Sequence, residues 1–210
     1  MFQVYENVVF GGKQHVRLTD MPGMAERTLT VCSASKLFSL TGWRVGWVTG
    51  PEELIRGVSV VHQHTTVCAP TPLQAGVAAA LDEEEGDFII ESGESVPRLY
   101  EANYGRLASA FLDAGLEPCA AGGGYFLVVD GRRTGLDDRA FAKRLIELAQ
   151  VAGMPMGAFY VEEERGGGRS ADELAESRSL VRFSVCKAED SLSDAAERIR
   201  KLTLGQIAGT

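Results

Sequence analysis

Between Thr28 and Thr41 the chain carries a single charge, the lysine at position 36. The preceding segment RTLTVCS (27–33) alternates and is rich in β-branched side chains, which predicts a strand ending at the lysine. The following segment RVGWVTG (44–50) predicts the next strand. A lysine threaded between two such strands is drawn toward an apolar interior, where an ammonium without a partner or a purpose is costly. The other lysines, Lys13, Lys143, Lys187 and Lys201, have charged or polar neighbours and are expected at the surface. An amine held partly out of water loses its proton more readily, as a lysine that condenses with a carbonyl must.

Arg44 is the second anomaly. It stands between Trp43 and Val45 at an apolar strand start and is expected to be buried. A buried guanidinium needs an anion, and its planar fork suits phosphate or carboxylate. Ser33 and Ser35 add hydroxyls beside Lys36. Amine, hydroxyls and guanidinium together describe a pocket for an aldehyde that carries a phosphate. Arg182, inside the apolar strand SLVRFSVC (179–186), calls for an anion by the same reasoning.

The rest of the chain reads as strands mixed with helices. VYENVVF (4–10) predicts a strand. Pro51-Glu52-Glu53 opens a helix with acids at its positive end, carrying Ile55, Val58 and Val61 toward a core. A further helix starts near Thr71, with that residue as cap and Pro72 in the first turn. The acidic run DEEEGD (82–87) reads as a solvated turn. A long helix is predicted from Phe88 to about Leu112, with Leu99, Ala102, Tyr104, Leu107, Ala108 and Phe111 near one stripe and Gly115 ending it. LEPCAA and GGYFLVVDG predict paired strands, and residues 136–153 an amphipathic helix ending at Gly153. MPMGAFY follows as a short extended piece, and 162–178 as a mobile polar loop. A terminal helix over 189–202 is capped by Asp190 or Ser191. Trp43 and Trp47 read as packing residues, and His62 and His64 as helix surface.

Bulk properties exclude some functions. A net charge of -8 disfavours general nucleic-acid binding and adsorption to anionic membranes. No apolar run approaches the roughly 20 residues of a membrane span, and no secretory signal pattern is visible. Cys32, Cys68, Cys119 and Cys186 are scattered without a C-x-x-C pair, so buried, reduced thiols are expected, and no metal site.

The segment SASKLFSLTGWRVGW resembles the pyridoxal-phosphate attachment signature of class I/II aminotransferases of fold type I, in the form closest to the kynurenine/glutamine transaminase and cysteine-conjugate β-lyase branch. Further landmarks resemble that family in the same order: VYENVVFGGKQHV, VHQHTTVCAPTPLQAGVAAAL, GGYFLVVD, MPMGAFY and VRFSVCK. The resemblance implies an α/β fold corresponding to the C-terminal half of such an enzyme. Residues 1–88 would be a remnant of the large cofactor-binding domain, and 89–205 a connecting helix with a small α+β domain.

By position, Lys36 matches the lysine that attaches the cofactor, pyridoxal 5'-phosphate. Ser33 and Arg44 match groups that hold its phosphate. Tyr5 matches the tyrosine that hydrogen-bonds its phenolic oxygen, and Arg182 the arginine that clamps the substrate α-carboxylate. The implied substrates are an amino acid with an aromatic, sulfur or amide side chain and a 2-oxo acid, in a cytoplasmic homodimer, or a mitochondrial one if an upstream segment is missing.

The family pattern places an aspartate three residues before the tyrosine, to keep the cofactor's ring nitrogen protonated. Here that position is Phe2. Roughly the first half of a family member has no counterpart, so the chain by itself is expected to be a poor transaminase or none. Two alternatives stand beside amino transfer: β-lyase chemistry on cysteine conjugates, and an inactive fragment acting as a binding or dimerisation module.

Overall fold

A computed structural model describes residues 1–82, 87–159 and 179–209, with the backbone alone over 87–95. The expected mobile loop at 162–178 and most of the acidic turn lie outside the described residues. Two compact units form, Met1–Arg98 and Leu99–Thr210.

The first unit is built on a three-stranded sheet ordered β1-β2-β3, with β1 at Phe2–Gln3, β2 at Thr30–Ser33 and β3 at Gly46–Thr49. β1 runs parallel to β2, and β3 antiparallel to it. The expected strand over 4–10 is displaced. Only Phe2 and Gln3 pair as a strand, and residues 5–8 form a turn in which the Val8 amide donates to the Tyr5 carbonyl at 2.9 Å. Between β2 and β3 lie a single helical turn, α1 (Ala34–Leu37), and a 3-10 turn, Thr41–Trp43.

Helices α2 (Glu52–Thr65) and α3 (Thr71–Ala80) follow. No residue of α2 is fully buried, and Val61, expected in a core, is 62% exposed. α3 is capped one residue earlier than expected, at Pro70, without a side-chain cap. It reaches Trp43 through Gly76, where an added Cβ would stand 3.1 Å from the indole ring. Trp43 and Trp47 pack around a small core of Ala34, Val45 and Val77, as packing residues should. His62 and His64 are exposed on α2.

The long helix α4 spans Asp87–Asp113 and continues through Pro97. Its buried stripe in the second unit is Asn103, Leu107, Ala110 and Phe111, with Ala114 just beyond; Leu99, expected on that stripe, is exposed. Gly115 closes it in the left-handed conformation at φ 82°, and the Leu116 amide donates back to the Phe111 carbonyl.

An antiparallel sheet ordered β4-β5-β7-β6 forms the centre of this unit: β4 Glu117–Pro118, β5 Phe126–Asp130, β6 Met154–Pro155 and β7 Leu180–Ser184. Leu127, Val129, Val181 and Phe183 alternate inward and pack against α4 and α5 (Asp138–Ala149). α5 ends three residues before the expected Gly153, at Gln150 in the left-handed region (φ 54°). Gly153 has a different role: a Cβ there would collide with the Val181 and Phe183 side chains. MPMGAFY is extended only over β6 and then coils as a 3-10 turn, Met156–Phe159. Helix α6 (Glu189–Arg200) is preceded by Ala188 as cap, with no capping bond from Asp190 or Ser191. A short helix not foreseen, α7 (Leu204–Ala208), starts at a capping box of Thr203 and Gln206.

Asn103 is fully buried and joins distant parts of this unit. Its amide donates to the Val185 and Lys187 carbonyls at 3.0 and 3.1 Å, and its oxygen accepts from Arg106. Asn103→Ala is expected to leave these carbonyls unpaired and to cost about 2–3 kcal/mol, read as a lowered denaturation midpoint.

Of the four cysteines, all free, only Cys32 is buried; Cys186 is half-buried, and Cys68 and Cys119 are exposed, against the expectation of buried thiols. Cys32 is buried because it lies on an inward position of β2, with the pattern buried, half-buried, buried, half-buried along Thr30–Ser33. Burial pushes the Cys32 thiol up, and the nearby Glu6 carboxylate adds to this. Because the folded-state value is raised, Cys32 contributes stability at low pH that is lost as pH climbs through its titration. Alkylation by iodoacetamide is expected to modify Cys68 first. Cys32 should react only above the ordinary thiol range, as site-resolved mass spectrometry over pH would show.

Candidate active site

The parallel pairing of β1 and β2, with Gln3 opposite Cys32, sends both strands out at the same end of the sheet. Tyr5 emerges there from β1, and Ser33, Ser35 and Lys36 from β2. Ligands in open α/β sheets collect at the carboxyl ends of parallel strands. The Ser33 hydroxyl accepts the Ser35 amide at 3.2 Å and starts α1, while the Ala34 amide donates to the Val45 carbonyl at 3.1 Å. Ala34 and Ser35 are therefore buried, and Lys36 follows them half out of solvent. Lys13, Lys143, Lys187 and Lys201 are all exposed. The expected contrast between Lys36 and the other lysines is present.

Thr41 ties the loop together. The Lys36 Nζ donates to Thr41 Oγ1 at 3.5 Å, and that hydroxyl donates to the Ser35 carbonyl at 3.4 Å. The Thr41 carbonyl accepts from Arg44 Nη1 at 3.3 Å. One threonine thus receives hydrogen bonds from both cations of the loop. Sequence reasoning passed over it, because a threonine in a turn carries no distinguishing signal.

Arg44 corrects an expectation. It is exposed, not buried, and it precedes β3 instead of starting it. It sits in the left-handed conformation at φ 57°, as does Ser39 at φ 56°. Non-glycine residues in that region are uncommon and tend to gather at functional loops. The left-handed turn swings the arginine out of the strand path, so its neighbours Trp43 and Val45 pack inward without it.

Tyr5 is half-buried in the turn after β1. Phe2, where the family pattern carries an aspartate, is 83% exposed. A cavity of about 340 Å³ lies elsewhere in this unit, between the sheet and α2, lined by Cys32, Trp47, Ile55, Val58 and His62; neither Lys36 nor Arg44 borders it.

Arg182 lies in the second unit, at the middle of β7, half-buried between the inward-facing Val181 and Phe183. Its guanidinium carbon stands 3.9 Å from the ring centre of Phe126 and 4.5 Å from that of Phe159. Met154 is its pairing partner on β6, and Arg182 Nη2 lies 3.6 Å from the Met154 Sδ. Among the described residues no carboxylate pairs with it. No group of three or more His, Cys, Asp or Glu side chains among the described residues could hold a metal ion.

The family model for aminotransferase class I and II matches residues 3–199. The chain belongs to this family. It is 37% identical over 201 residues to the probable N-succinyldiaminopimelate aminotransferase DapC of Mycobacterium tuberculosis, over 95% of this chain and 49% of that protein. It is 34% identical over 214 residues to kynurenine–oxoglutarate transaminase 3 of Rattus norvegicus, over 94% of this chain and 44% of that one. Among solved structures, N-succinyldiaminopimelate aminotransferase from M. tuberculosis superposes with a TM-score of 0.78 at 36% identity, over 95% of this chain and 48% of that one. YbdL from Escherichia coli, described with a methionine aminotransferase function, gives 0.79 at 30% identity over 96% and 48%. The mixed α/β architecture thus matches about half of the fold-type-I aminotransferase fold. The chain spans about half the length of the curated relatives it matches. No described helix is long and apolar enough to cross a membrane.

Proposed function

We propose that this polypeptide takes part in pyridoxal-phosphate-dependent transamination, with Lys36 as the attachment lysine. The observation that carries this reading is the Thr41 hub, which holds the half-buried Lys36 amine and the Arg44 guanidinium in one short loop. The donor set fits the group: an amine for the aldehyde, and a guanidinium with a hydroxyl for the phosphate. The Ser33 oxygen accepts the Ser35 amide, which leaves its own O–H to donate to an anion. The exposure of Arg44 suits a phosphate arriving from solvent. Tyr5, leaving the same end of the sheet, would donate to the phenolic oxygen.

When bound, the cofactor supplies an electron sink for charge developing at the substrate Cα. The protein's part is position and proton transfer. Lys36 would hold the cofactor, and its amine would serve as the base that takes a proton from that carbon. Arg182 receives the α-carboxylate through its planar fork. Residues 1–88 act as part of the large cofactor-binding domain, and 89–205 as the small domain with its connecting helix.

The substrates would be an amino acid with an aromatic, sulfur or amide side chain and a 2-oxo acid. The kynurenine and methionine aminotransferase relatives support this choice. The succinyldiaminopimelate relatives add an acylated diamino acid to the donors worth testing. β-Lyase chemistry on cysteine conjugates would use the same lysine. A homodimer in a reducing cytoplasm accords with the family and the four free thiols.

A second reading is favoured by one observation. Phe2 cannot ion-pair with a ring nitrogen, which suits a non-catalytic binding or dimerisation module. Purified chain with added pyridoxal phosphate separates the two. Visible absorbance from lysine-attached cofactor, with turnover of an amino-acid panel, supports the enzyme; neither signal from folded protein supports the module. Arg44→Ala is expected to weaken cofactor affinity about 10- to 100-fold by titration, since it removes a charged hydrogen bond to phosphate.

A further inference from the structure

We propose that Asp138 is a positioning residue for Arg182, acting through Gly157 and Phe159; this rests on Arg182 as the carboxylate-binding arginine. Arg182 and Phe126 share one face of the β5–β7 pair, because Val128 is opposite Arg182 and Phe126 lies two residues along β5. Phe126 therefore covers one side of the guanidinium, at 3.9 Å, from a fixed strand. Phe159 covers it at 4.5 Å from outside any strand. It is 51% exposed and ends the 3-10 turn Met156–Phe159. Nothing in that local sequence would hold the ring in place.

Asp138 supplies the hold. Its Oδ2 accepts the Gly157 amide at 2.6 Å, a short charge-assisted bond. Asp138 is only 7% exposed and is itself rigid, since it is the first residue of α5. The preceding Asp137 caps that helix by accepting the Ala140 amide at 2.7 Å. The helix N-terminus stabilises the buried carboxylate. The fit is close: a Cβ at Gly157 would stand 2.7 Å from Asp138 Oδ2. So α5 anchors the turn, the turn places Phe159, and Phe159 with Phe126 holds the guanidinium plane. With its carbon over both rings, the guanidinium is confined by them, and the N–H groups that face neither ring nor Met154 remain to meet an incoming carboxylate.

The test uses the full chain and two probes, 3-phenylpropanoate and its uncharged amide, with binding followed by calorimetry. Asp138→Ala and Phe159→Ala should each weaken the carboxylate about three- to five-fold and leave the amide unchanged. Asp138→Asn should rescue, because its amide oxygen still accepts from Gly157. The double variant should lose no more than either single one, since both act on one contact. The NMR signals of the Arg182 side chain should lose part of their aromatic upfield shift in Asp138→Ala, which a purely structural role would not produce. If Asp138→Ala folds poorly, Gly157→Ala and Phe159→Ala test the same arrangement with Asp138 intact. Carboxylate binding that survives Arg182→Ala overturns the assignment of Arg182 itself. Binding lost in Arg182→Ala but unchanged in the Asp138, Gly157 and Phe159 variants overturns the positioning role alone.

Discussion

Lys36→Ala is expected to lower amino-group transfer by at least about 10³-fold, because in the proposed reaction one amine would both attach the cofactor and move the proton. The same change should abolish labelling by pyridoxal phosphate and borohydride at this position. The fold should survive. Lys36 is half-buried, and its hydrogen bond to Thr41 is long, at 3.5 Å. Thr41 keeps its bond to the Ser35 carbonyl when the amine is gone. The stability cost is therefore about 0.5–1 kcal/mol. Peptide mapping after borohydride reduction checks the claim. Label at exposed lysines with none at Lys36 in folded wild-type protein would remove the chemical assignment and leave only the family relationship.

The largest loss of stability is expected from Phe111→Ala, about 3–5 kcal/mol. Phe111 is fully buried, and its ring centre lies 4.8 Å from that of Phe183, tilted by 44°. It joins α4 to the central strand β7, so truncation opens a cavity that a close-packed core cannot collapse into. Leu54→Ala provides the contrast. That side chain is 39% exposed on α2, and its loss should change stability by less than about 0.5 kcal/mol. Chemical denaturation of the full chain, followed by circular dichroism, measures both. Equal effects would contradict the assignment of the main core to the second unit.

Strong local patterns were readable along the chain. β5 and β7 alternate apolar residues inward and outward, and α4 and α5 repeat them at helical spacing, so nearby residues decide both. Elements with weak or competing local signals went astray. VYENVVF has strand-like residues, but strand pairing stops at Gln3, just before it, and residues 5–8 fold into a turn. Val61 fits a helical stripe, yet α2 has no fully buried face on which to use it. The 3-10 turn after β6 and the helix α7 are short, and their stability comes from contacts such as Asp138 with Gly157 and Arg144 with the Gln206 carbonyl. No local pattern announces such contacts, although the T-x-x-Q capping box at Thr203 is itself a local signal for the start of α7.

The sequence by itself determined which lysine is unusual and which family the chain belongs to. A lone charge in an apolar stretch is a local fact, and the six landmark segments are read in order along the chain. Only the tertiary structure decided what surrounds each charge. It turned Arg44 outward through a left-handed residue and made Thr41 the common partner of both cations. It also brought Phe126 and Phe159 onto Arg182. The physical reason is that a polar group is satisfied by whatever lies near it in space. For Arg182 that depends on strand register between residues far apart in the chain; for Lys36 and Arg44 it depends on the turn geometry that folds a short loop back onto Thr41.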